Sequence, residues 1–162
     1  MNVAVFLGHP AHFHLFRNVI IGLIDRNVNV QIVIKKKDIL ETLVRDAGYD
    51  YTVIREGRSN SKLGLVKSVL QMEFEMIKFI KKNKTDLLIG STLSFAARYI
   101  SGIQVLVTGE DDADVVPMYA GMVYPFASEI ITPAVCDNGK YEKKSLKYNS
   151  YHELAYLHPN HF

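Results

Sequence analysis

The chain has 162 residues, 48% hydrophobic and 22% charged, with 19 basic and 17 acidic side chains for a net charge of +2. That length suits one domain, the composition argues against disorder, and so even a charge balance argues against a surface built for nucleic-acid phosphates. A single cysteine, Cys136, rules out an internal disulfide. The start lacks the basic and apolar regions of a signal peptide, and no apolar run approaches the ~18 residues of a membrane helix, so a cytoplasmic location is expected.

Short β-branched runs alternate with helical stretches, the pattern of βαβ units. Residues 3–7 predict a first buried strand ending at Gly8, and Phe16, Val19, Ile20, Leu23 and Ile24 recur at helical spacing within 13–26. A second strand over 29–34 is closed by Lys35-Lys36-Lys37. Asp38 is expected to cap a short helix through Ala47 that Gly48 ends, and 51–54 is a third strand. Residues 55–62, polar and bearing Gly and Ser, read as a mobile loop. The longest helix is expected over 63–82, followed by a fourth strand over 86–89 that closes at Gly90-Ser91-Thr92. A helix over 93–100 leads through Gly102 to a strand over 104–107 and the acidic turn Thr108-Gly109-Glu110-Asp111-Asp112. A helical segment through Tyr124, interrupted by Pro125, precedes a last strand over 129–132; beyond Cys136 the chain is polar, lysine-rich and without period. About six parallel strands with interleaved helices predict an α/β fold: a doubly wound, mostly parallel, Rossmann-like sheet with its ligands at the carboxyl ends of the strands.

The long helix carries an apolar arc wider than one sheet face requires. Val66, Val69, Leu70, Ile77 and Ile80 form a stripe that Leu65, Met72, Met76 and Phe79 extend sideways, with Glu73 near its middle. Such an arc fits a helix wedged deep in the fold or a contact with another subunit or a missing domain. A homodimer through the Met72, Met76, Phe79 side or through the uncovered cleft is therefore an expected partner state.

Three strand ends carry candidate chemistry. Gly8-His9-Pro10-Ala11-His12-Phe13-His14 joins the first strand to its helix, where backbone amides can receive an anion. It is neither a G-x-G-x-x-G nor a P-loop, and the second strand ends in Lys35 rather than the carboxylate that holds an NAD ribose. His9, His12 and His14, with distal Glu110, Asp111 and Asp112, open a zinc reading. Their spacing matches no zinc signature, and caps or metal-free ligand contacts account for them equally; we expect neither metal nor cofactor. At the second end, Ser91 and Thr92 serve either to bond a substrate hydroxyl or phosphate or simply to cap a helix. At the third, crowded carboxylates raise one another's pKa and supply a general base, or form a solvated turn. Cys136 reads as a buried thiol with nothing beside it to activate it.

Together, 8–18 (Gly8-His9-Pro10-Ala11-His12-Phe13-His14-Leu15-Phe16-Arg17-Asn18), the acidic Glu110-Asp111-Asp112 and the closing Glu153-Leu154-Ala155-Tyr156-Leu157-His158-Pro159 resemble the first half of a prokaryotic protein family. That family is related to GT-B glycosyltransferases and UDP-N-acetylglucosamine 2-epimerases. The resemblance implies a Rossmann-like α/β domain over 1–150, and 151–162 as the start of a linker to an absent second domain. It implies that this half binds a sugar-containing acceptor and supplies the base, while the second domain binds most of the nucleotide-sugar donor. His12 and Asp111 are then the catalytic candidates, with Gly8, His9, Pro10, His14, Ser91, Thr92, Glu110 and Asp112 around the substrate. The expected function is the acceptor-side domain of a GT-B-like glycosyltransferase, inactive as this half alone. The alternatives are a non-catalytic, half-length sugar- or nucleotide-binding protein and, on the strength of His9-Pro10, a metal-dependent hydrolase similar to sugar deacetylases, in which Ala11 and His12 replace the expected acids.

Overall fold

The computed structural model describes residues 1–54, 62–90 and 96–159, without the side chains of 62, 63, 65, 66 and 96. Of the expected loop at 55–62, Lys62 opens α3 and 55–61 lie outside the described residues, as do the side chains of Leu65 and Val66 and both Ser91 and Thr92. In chain order the elements are β1 (Asn2–Leu7), α1 (Pro10–Ile24), β2 (Asn29–Lys35), α2 (Leu40–Asp46), β3 (Tyr51–Ile54), α3 (Lys62–Asn83) and β4 (Leu87–Ile89). A short π-helical turn (Ala96–Ile100), β5 (Gln104–Thr108), α4 (Pro117–Val123), a 3-10 turn (Tyr124–Phe126) and β6 (Glu129–Pro133) follow. A second 3-10 turn (Gly139–Lys144), β7 (Ser145–Tyr148) and α5 (Leu154–Leu157) complete it.

All pairings are parallel, in the order β3-β2-β1-β4-β5-β6-β7. The sheet has seven strands rather than about six. The additional one, β7, is a half-exposed edge whose Lys147 and single large aliphatic, Leu146, give it no apolar run to read. Alternation along β1 builds both cores: Val3, Val5 and Leu7 pack with Phe13, Phe16 and Ile20 of α1, while Ala4 and Phe6 pack with Met76, Phe79 and Ile80 of α3. The strand is buried on both faces, as a continuous apolar run in a parallel sheet should be.

Two local expectations change. Asp38 does not cap α2: its backbone is left-handed (φ 47°), a conformation aspartate tolerates in turns, and the residue before α2, Ile39, offers no side-chain cap. The Met72, Met76, Phe79 side of α3 is core rather than an interface. Met76 and Phe79 are buried and Met72 packs against the same cluster. The helix lies against the π-helical turn as well as the sheet, so a wide arc is absorbed within the domain. Among the described side chains its outward apolar residues are Leu70 and Phe74, the latter with the Lys78 ammonium 4.4 Å from its ring centre.

Where β4 ends beside β1, Gly90 adopts φ 139°, and a side-chain carbon there would stand 2.6 Å from the Phe6 carbonyl oxygen. Only glycine meets both conditions. Gly90→Ala should therefore cost about 2–3 kcal/mol of stability in urea denaturation. Gly102→Ala, at φ 71° with open space around it, should cost only about 1 kcal/mol, from backbone strain alone. Equal losses would show that the β1–β4 approach is not the constraint.

Candidate functional site

The carboxyl ends of β1 and β5 open on a cavity of about 430 Å³. The start of α1 contributes His9, Ala11, His12 and Leu15, and the turn after β5 contributes Thr108, Gly109, Glu110 and Asp111. Tyr119 and Tyr124 form a third wall, and His152 and Tyr156 a fourth. His12 and Asp111, 99 positions apart by number (111 − 12), thus converge on one site, as a rim shared by parallel strands requires.

At the start of α1, Pro10 takes the first helical turn, where its missing N–H costs nothing. His9 is the N-cap, its Nδ1 accepting the Ala11 N–H at 3.2 Å, while its carbonyl accepts the His12 N–H at 3.0 Å. The Gly8 N–H donates to His12 Nδ1 at 3.2 Å. The Gly8, Ala11 and His12 amides, among those expected to receive an anion, are therefore bonded within the loop. Because Nδ1 of His12 accepts a hydrogen bond, neutral His12 carries its proton on Nε2: it is a donor at this site. Burial, then the neighbouring His9, lowers the His12 pKa below its ordinary value of 6.5, against an opposing pull from Glu110.

After β5 the three acids have different roles. Glu110 Oε2 lies 2.9 Å from His152 Nδ1. Asp111 lines the cavity from an exposed position. Asp112 accepts the Asp137 N–H at 2.7 Å, which ties the turn to the residues after β6, and it is not among the residues lining the cavity. Cys136 is buried, with its thiol donating to the Glu110 carbonyl at 3.2 Å. His14 is exposed, its ring 6.0 Å from that of Tyr156; two residues along a helix turn it about 200° away from His12. Gly8 and Pro10 act through the backbone. Among the described residues, no three His, Cys, Asp or Glu side chains come together to hold a metal ion.

Sequence reasoning did not identify His152, Tyr119, Tyr124 or Tyr156. Recognising β7 was the missing signal, since its carboxyl end delivers His152 to the same rim. Residues 151–157 pack against α1, where the Asn18 side-chain amide donates to the Ala155 carbonyl at 3.0 Å. Tyr124 has no exposed surface, and its hydroxyl has no partner among the described residues. Burial, with Tyr119 and Asp111 nearby, pushes its pKa up to about 12. Lys144 fixes the turn that carries it, donating to the carbonyls of Tyr124, Pro125 and Ala127 at 3.0, 2.8 and 2.8 Å. Beside the cavity an apolar groove of about 660 Å³ runs past Phe16, Val19, Leu106, Ile131 and Leu154, and His152 borders both spaces.

Among solved structures the chain is similar to MurG of Acinetobacter baumannii, with a TM-score of 0.67 at 16% identity over 91% of this chain and 44% of that one. It is similar to a UDP-N-acetylglucosamine 2-epimerase, with a TM-score of 0.65 at 13% identity over 89% and 44% of the two chains. The spinosyn rhamnosyltransferase SpnG gives a TM-score of 0.61 at 14% identity over 82% and 45%; it has also been solved with thymidine diphosphate. No family model and no curated protein matches the chain. At these identities the likeness is one of fold: this chain has the Rossmann-like architecture of the amino-terminal domain of GT-B glycosyltransferases, and it spans less than half the length of each of these structures.

The lowered pKa of His12 has a thermodynamic consequence. The unfolded chain takes up this proton near pH 6.5 and the folded chain only lower, so the stabilisation is complete above pH 6.5 and is lost as pH falls through the folded-state value. Urea midpoints measured from pH 7.5 to 5 should fall, and His12→Gln should flatten that fall. An unchanged slope in the variant would assign the acid sensitivity elsewhere.

Proposed function

We propose that this chain is the acceptor-side domain of a GT-B-like glycosyltransferase that works with a nucleotide-sugar donor. The observation carrying this reading is the meeting of His12, Glu110, Asp111, Tyr124 and His152 in one cavity at the carboxyl rim of the sheet. Sugar transfer needs a group that takes a proton from the acceptor hydroxyl and donors that steady developing negative charge. The cavity holds carboxylates and imidazoles for both tasks. Asp111 is placed to accept hydrogen bonds from acceptor hydroxyls, and the Nε2–H of His12 to donate one. The donor belongs mainly to a second domain facing this rim.

The isolated 162-residue chain should show no measurable transfer from UDP-N-acetylglucosamine or thymidine-diphosphate sugars to aryl glycosides. With the carboxyl-terminal half of a GT-B transferase fused to it, transfer should appear, and Asp111→Ala should lower kcat/KM about tenfold, the worth of one hydrogen bond at the site. Turnover by the isolated chain, or its absence from the fusion, overturns the proposal; binding of the sugar nucleotide without turnover in both would favour a non-catalytic binding protein.

A further inference from the structure

We propose that His152, oriented by Glu110, is the base that removes the acceptor proton, and that His12 acts beside it as a hydrogen-bond donor. The inference rests on the transferase reading and assigns the base role to His152, a residue that no motif marks.

The two imidazoles present opposite faces. His152 is buried, with Nδ1 2.9 Å from the Glu110 carboxylate. An ionised carboxylate only accepts, so Nδ1 of His152 carries the proton and the lone pair of the neutral ring is on Nε2. That nitrogen has no hydrogen-bond partner among the described residues. The ring plane is held by Tyr148 of β7, stacked at 6.1 Å and 20°. His12 of α1, with Nδ1 engaged by the Gly8 amide, has its lone pair occupied and a proton outward. A carboxylate that holds an imidazole through Nδ1, on the wall of the cavity, is the arrangement by which a histidine base is kept in its reactive tautomer. Of the remaining acids, Asp112 is bonded to the Asp137 amide and Asp111 stands exposed to water.

The step balances without a further reactant. The acceptor hydroxyl gives its proton to Nε2 of His152 as its oxygen bonds to the anomeric carbon of the nucleotide sugar. The bond from that carbon to the diphosphate oxygen breaks, and the nucleoside diphosphate leaves with the electron pair. Glu110 stabilises the imidazolium, which returns its proton to solvent. Glu110 is thus a positioning residue acting through His152.

Imidazole nitrogen NMR on the 162-residue chain reads the tautomers directly. Neutral His152 should carry its proton on Nδ1 and neutral His12 on Nε2, and Glu110→Ala should abolish the Nδ1 preference of His152 while backbone signals keep the folded pattern. In the two-domain fusion, with UDP-N-acetylglucosamine and aryl glycosides as probes, His152→Gln should lower kcat by 10²–10⁴-fold with little change in acceptor KM, whereas His12→Gln should mainly raise KM. His152 protonated on Nε2 in the unaltered chain overturns the proposal, as does an unimpaired kcat in His152→Gln. Absence of transfer by the unaltered fusion removes the transferase reading and the base role with it, a failure recognisable because the tautomers stay as stated.

Discussion

Parallel pairing on both sides of β1 is the constraint from which the remainder follows. Because β1 hydrogen-bonds β2 on one edge and β4 on the other, all in one direction, each connection must return across a face and each strand must release its chain at the same rim. The reversal of strand order falls between β1 and β4, where Gly90 lets the backbone pass against Phe6. The histidine loop leaves from one side of that reversal and the acidic turn from the other. Their meeting is a product of topology before it is one of side-chain chemistry.

What could be read from the chain divides along the same line. The central strands announce themselves through apolar runs such as Val3 to Leu7, buried on both faces, and β3, although an edge, through its β-branched Thr52, Val53 and Ile54. An edge strand is under no such demand, and β7, with Lys147 and a half-exposed Leu146, is written in the polar residues that keep edges from pairing further. Missing β7 concealed His152. The arc of α3 misled for a related reason: periodicity reports how much of a helix is apolar, not how many neighbours share it, and here both the sheet and the π-helical turn cover it. Tyr124 was illegible in another sense. Its ring behaves as ordinary core between Tyr119 and Tyr141, and only the folded structure reveals that it lines the cavity wall.

The acidic turn shows how crowding is resolved by division of labour. Three consecutive carboxylates at one strand end would repel if they shared a solvent pocket. Asp112 is directed to the backbone amide of Asp137 and Glu110 to the imidazole of His152, while Asp111 remains toward water. Gly109 just before them leaves no room for a side chain against the Tyr124 hydroxyl, so this turn can approach the tyrosine no other way. Polar and apolar spaces then adjoin without a buried charge between them, and His152 stands at their boundary with one nitrogen committed and one open.

The bond between Asn18 and Ala155 joins residues 137 positions apart, and His12 and His152 are similarly remote in sequence. A chain leaving the ribosome amino end first, at roughly 5–20 residues per second, therefore exposes the histidine loop several seconds before its opposite wall exists. In that interval α1 and β1 to β3 have their own partners to pack against, but the apolar groove beside α1 is open and its lining is available to any sticky surface. Loop-closure entropy makes such distant contacts the last to form. The site is thus assembled only once β7 and α5 have been made, and its formation reports that the strands between β1 and β7 have found their places.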